Sequence, residues 1–102
     1  MREQLAKNDF AAHVHSKFQV HLQDRPPLEL ELYLVEDGHS TPAQEQFSLL
    51  FYGPDTFGLG QGTFEVEHGA IGRFQLFLVP IQPDQKGPRY QAVFNRFVNK
   101  QA

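Results

Sequence analysis

From position 28 to 34 the chain reads Leu-Glu-Leu-Glu-Leu-Tyr-Leu, with an apolar residue at every second place. A period of two is the period of a β-strand with one dry and one wet face. A helix has about 3.6 residues per turn and would scatter these leucines around its circumference. Leu28, Leu30, Leu32 and Leu34 are therefore expected to point one way, and Glu29, Glu31 and Tyr33 the other. Residues 18–23 and 63–68 repeat the scheme. Strands of this kind belong to antiparallel sheets that bury one side.

Three further segments are also read as strands. Residues 47–52 and 74–79 carry apolar side chains on both faces, and residues 90–97 are mixed. A strand that is apolar on both sides needs cover on both, from a helix, a long loop or another subunit. The punctuation agrees with this division. Asp24-Arg25-Pro26-Pro27 is expected to close the first strand, and Glu36-Asp37-Gly38-His39-Ser40-Thr41-Pro42 the second. Gly53-Pro54, the glycines at 58, 60 and 62, Gly69-Ala70-Ile71-Gly72 and Pro83-Asp84-Gln85-Lys86-Gly87-Pro88 mark the rest. Such residues either reach positive φ or fix φ and remove a donor. Near the start, Asn8 or Asp9 is expected to cap one short helix, with Phe10 and Val14 as its apolar anchors. The 102 residues make one domain. The expected fold is all-β: a small antiparallel sandwich or flattened barrel of six to seven strands, with one short N-terminal helix.

Composition removes several classes of function. There is no cysteine, hence no disulfide, thiolate metal site or cysteine nucleophile. The formal net charge of −3 argues against a nucleic-acid partner, which requires a concentrated basic surface. The longest apolar runs fall far short of the ~20 residues of a membrane helix. The first residues show charge but neither a signal-peptide core nor a myristoylation glycine, so the expected compartment is the cytoplasm and no membrane partner is expected.

Candidate chemistry is sparse. His13 and His15 have the spacing of two ligands on one strand face; His21 lies too far along the same strand to share the ion, so a distant Glu or His39 would have to complete the set. A His-dependent metal site is thus one reading, and solvated histidines the plainer one. Glu65-Val66-Glu67-His68 beside a glycine turn suggests either an acid–base pair or the wet face of a hairpin whose histidine bonds the turn. No Gly-x-Ser-x-Gly context surrounds a serine, and Gly58-Leu59-Gly60-Gln61-Gly62 lacks the Lys-Ser/Thr of a phosphate loop. Phe57 and Leu59 are candidate contact residues if their loop exposes them, and otherwise fold back on the core. Tyr33, Tyr52, His68 and Arg96 complete the candidate interaction set, with Arg96 also placed to pair with a glutamate on a neighbouring strand.

The stretches Gln44-Glu45-Gln46-Phe47-Ser48-Leu49-Leu50-Phe51, Gln61-Gly62-Thr63-Phe64-Glu65-Val66-Glu67-His68, Gly72-Arg73-Phe74-Gln75-Leu76-Phe77-Leu78-Val79-Pro80 and Tyr90-Gln91-Ala92-Val93-Phe94-Asn95-Arg96, with Asp9-Phe10 and Phe18, carry a resemblance. The chain resembles a small uncharacterised bacterial all-β domain family, a domain of unknown function whose members occur beside phage-tail-like genes. That resemblance implies a fold and a structural or assembly role, and brings no catalytic residues. The expectation is a non-catalytic interaction module without a cofactor, which binds a protein partner or self-associates as a homo-oligomer. A small-ligand or glycan-binding module is the second expectation, and a metal-binding protein the third.

Overall fold

The computed structural model describes residues 7–38, 41, 44–54 and 59–97, with the backbone alone at 96 and 97. A five-residue helix α1 (Lys7–Ala11) precedes six strands: β1 (Lys17–Leu22), β2 (Arg25–Asp37), β3 (Gln44–Tyr52), β4 (Gly62–His68), β5 (Gly72–Asp84) and β6 (Gly87–Phe97). All pairs are antiparallel, and the sheet closes on itself in the order β1-β2-β3-β6-β5-β4. Two three-stranded meanders, β1-β2-β3 and β4-β5-β6, meet at two seams, β1 with β4 and β3 with β6. The fold is all-β, as the alternation requires.

The long strands β2 and β5 each serve two neighbours. β2 pairs with β1 through Arg25 to Glu31 and with β3 from Glu31 onward. β5 pairs with β4 through Gly72 to Leu78 and with β6 from Val79 onward. Pro26, Pro27, Pro80 and Pro83 all lie on arms where the strand has a partner on one side only, so their missing N–H groups need not break a ladder. This is why Arg25-Pro26-Pro27 is part of β2 and does not close β1. The turn itself is Gln23-Asp24, with Asp24 at φ 65°. The β5–β6 turn likewise narrows to Gln85-Lys86, followed by Gly87 at φ 124°.

A β-bulge at Tyr33 corrects one reading of the sequence. Leu32 pairs with Phe51, but Leu34 pairs with Leu50, so one residue is skipped. The bulge reverses the alternation. Leu34 turns outward, 40% exposed, and Val35 turns toward the core in its place.

The interior is filled by Phe18, Val20, Leu30, Leu32, Phe47, Leu49, Phe51, Val66, Leu76, Leu78, Tyr90 and Ala92. Phe10 enters this core from α1. It is fully buried, with ring centroids 6.2, 5.7 and 5.5 Å from Phe47, Phe74 and Phe94. Asn8 and Asp9 lie inside α1, so neither is the cap expected before it. Val14 does pack against the core. Among the described residues no helix is long and apolar enough to cross a membrane.

Candidate functional site

The closed sheet has one inner and one outer face, and the outer face divides by charge. On β1, β4 and the first half of β2 it is ionic. Arg73 bonds Glu65 at 2.9 Å and approaches Glu67 at 3.4 Å, and His21 Nε2 lies 2.9 Å from the same Glu67 carboxylate. Lys17 stands 3.8 Å from Glu29, to which the Gln19 side chain donates at 3.2 Å. The hydrogen bond with His21 holds the Glu67 carboxyl below its usual range, and Arg73 adds to the effect. Glu65 and Glu67 thus form a ladder of ion pairs on a wet face.

The other half is different. On β3, β6 and the middle of β5 the outward positions Ser48, Leu50, Gln91, Val93, Gln75, Phe77 and Val79 are uncharged, with Arg73 and Arg89 at the ends of this stretch and Glu36 of β2 opposite Ser48. Across it, Leu34 pairs with Leu50, Leu50 with Gln91, and Gln91 with Val79. Leu50 is 7% exposed although it points out of the barrel, while Phe77 is 49% and Val93 63% exposed. The second apolar face expected for β3 and β5 therefore exists. No described segment of this chain covers Phe77 or Val93.

The histidines separate. His13 and His15 lie in the turn before β1 and do not extend that strand, because β1 begins only at Lys17. His15 takes a left-handed φ of 76° and its ring lies 3.7 Å from Glu31. His13 turns the other way and packs against His68, with ring centroids 4.6 Å apart and the planes tilted by 55°. His39 lies outside the described residues. Among the described residues no three His, Cys, Asp or Glu side chains converge as a ligand set.

His68 is buried, at the end of β4 and against Phe18. Its Nδ1 accepts hydrogen bonds from the backbone N–H groups of Ala70 (3.0 Å) and Ile71 (3.3 Å). An Nδ1 that accepts leaves the proton of a neutral ring on Nε2. Nε2 therefore donates to Ser16 Oγ at 2.9 Å, and Ser16 donates to the His13 carbonyl. This proton order is the reverse of a nucleophilic Ser–His pair, in which the serine donates to the ring. Burial, helped by the neighbouring His13, pushes the His68 pKa down. The ring ties the β4–β5 turn to the entry of β1, and a partner cannot reach it. Sequence reading missed Ser16, which has no motif around it.

Leu59 is also buried, in the core cluster, and its N–H donates to the Tyr90 hydroxyl at 2.9 Å. It belongs to the core and not to a contact loop. Phe57 lies outside the described residues. Arg96 stands opposite Glu45 in the β3–β6 register.

Tyr33 and Tyr52, by contrast, come together. Their rings stack at 4.1 Å with an interplanar angle of 24°. The Tyr52 hydroxyl donates to Asp84 Oδ2 at 2.6 Å, and Arg89 donates to the Tyr33 hydroxyl at 3.0 Å. Arg89 Nε also donates to the Gln82 carbonyl and lies 3.9 Å from Asp84. The bond to Asp84 stabilises the neutral phenol, and the Tyr52 pKa is pushed up to about 12. The same bond holds the Asp84 carboxyl below its usual range. Tyr52 borders a cleft of about 530 Å³ lined also by Lys17, Glu29, Glu31, Gly53, Pro54 and Lys86. Asp84, Lys86 and Arg89 lie in or beside a Pro/Gly cluster that reads only as a turn, so nothing in the sequence singled them out.

The comparison with curated proteins finds no match, and neither does the comparison with solved structures. The profile of one family does match, from residue 5 to 94, across nearly the whole chain. The chain belongs to that family, described as a domain of unknown function (DUF6916).

Proposed function

We propose that the chain is a non-catalytic interaction module that associates with a second copy of itself through the outer face of β5, β6 and β3. The observation behind this reading is the exposure of Phe77, Val93 and Leu34 on the outer face, with Leu50 paired to Leu34. Interface cores are depleted in charge and enriched in such side chains. The sheet closes on itself, and its one-sided arms in β2 and β5 carry Pro26, Pro27, Pro80 and Pro83, which disfavours association by strand addition. Contact then falls to side chains. Each copy carries a formal charge of −3, and two like-charged molecules meet most easily where neither presents a charge. A two-fold contact would place this patch against itself. Assembly into a tail-like particle, the setting that the resemblance implies, suits such a face.

Light scattering coupled to size-exclusion chromatography, from about 1 μM to 1 mM, tests it. A dimer that grows with concentration is expected, and Val93→Lys should return it to monomer with an unchanged melting temperature. A chain that stays monomeric throughout would refute the reading.

A further inference from the structure

We infer that the cleft beside Tyr52 is a saccharide-binding site, accepting a neutral ligand of mono- or disaccharide size. The inference is independent of self-association, because the cleft lies on the outer face across β1, β2 and the end of β3, beside the β5–β6 turn, and shares no residue with the Phe77–Val93 surface. Its volume of about 530 Å³ lies within the range of small-molecule sites.

The lining suits this chemistry. Lys17 and Lys86 balance Glu29 and Glu31, so no net charge selects an anion or a cation. Carboxylates accept from hydroxyls and ammonium groups donate to them, and a sugar ring offers both kinds of partner along its edge. The C–H faces of a sugar need an apolar platform, which Tyr52 and Pro54 provide. Lys86 Nζ lies over the Tyr52 ring, 5.9 Å from its centre, so a sugar that stacks there displaces this ammonium group.

The platform is also fixed in place. Tyr52 is held by Tyr33 against its ring and by Asp84 at its hydroxyl, and Tyr33 is held in turn by Arg89. Binding then immobilises little that was mobile beforehand, which favours affinity. The bulge at Tyr33 contributes directly, since the skipped residue is the one that stacks on Tyr52. Neither Asp84 nor Arg89 is needed to complete the core, and both serve the position of these two rings.

The test is amide chemical-shift mapping of the isotope-labelled full chain, titrated separately with maltose, cellobiose, chitobiose and inorganic phosphate. At least one disaccharide is expected to shift Glu31, Tyr52, Gly53 and Lys86 in a saturable way. Tyr52→Ala should weaken that binding about tenfold, the value of one lost aromatic contact. Glu31→Gln, which keeps shape and fold, should weaken it as well. No saturable shift with any of the three sugars would overturn the inference. So would shifts at these residues with phosphate alone, or sugar-induced shifts that persist unchanged in both variants.

Discussion

Replacing Phe10 by alanine tests whether α1 is a plug or an ornament. The ring is fully buried against Phe47, Phe74 and Phe94, whereas Asn8, Asp9 and Ala11 are exposed. Among the described residues before β1, this side chain and Val14 are the two that pack into the core cluster. Removing a buried aromatic from a rigid core costs about 3–5 kcal/mol, of which the transfer of the ring is about 1.5–3 and the remainder reflects the cavity left behind. Here the cavity can relax, because α1 is short and can shift. The turn that follows is less free: His15 N–H donates to Leu32 C=O, and Leu32 N–H to Ser16 C=O. A loss near the lower end, about 3 kcal/mol, follows. For a domain of this size that corresponds to about 12–24 °C in melting temperature. Urea unfolding followed by circular dichroism should show the midpoint fall by about 1–3 M with a conserved slope. Phe10→Leu should recover most of the loss, because it keeps most of the volume. A loss below about 1 kcal/mol in Phe10→Ala would refute the reasoning, since the barrel would then close its end without α1.

Three further outcomes are expected. The folded chain keeps His68 neutral below the ordinary pKa of 6.5, so the unfolded chain takes up a proton that the folded one refuses. Stability should therefore fall as pH drops below 6.5 and gain nothing from this group above it, and His68→Asn should flatten that slope in urea unfolding across pH. A Cβ at position 53 would meet the Tyr90 ring at 2.8 Å and Leu30 at 3.0 Å. Both side chains are buried, so Gly53→Ala should cost about 1–3 kcal/mol by thermal melting. Spectrophotometric titration should find Tyr52 ionising at about 12, and Asp84→Asn should bring that value down, because the hydrogen bond to the carboxylate is its main cause.

The parts of this fold that depend on neighbours in sequence were legible. All six expected strands are present, although β2 and β5 run into the proline clusters read as turns; α1 is present, and Phe10 and Val14 anchor it. What escaped depends on the other strand of a pair. Leu34 reads as inward because nothing local announces the bulge, which exists only in the register of β2 against β3. His13 and His15 look like strand residues until Leu32 exchanges backbone hydrogen bonds with the turn that holds them. The site was half visible. Tyr33 stood out on a wet face and Tyr52 at the end of a two-sided apolar strand, but their stacking follows from the same bulge, and Asp84 and Arg89 join them only through the β5–β6 turn. The second apolar face of β5 was plain in the sequence, and Phe77 bears it out.

The two seams carry a kinetic consequence. Within each meander, strands pair with their neighbours in the chain, and such contacts form quickly. The β1–β4 and β3–β6 seams join segments from opposite halves, so loop entropy must be overcome before they form. Closure should be the late step of folding. On the ribosome, β1, β2 and β3 emerge before either strand that completes them, and their outer N–H and C=O groups are then unpaired. A sheet that closes on itself once finished spends its synthesis with both outer strands open, and in that interval the nascent chain is most exposed to aggregation.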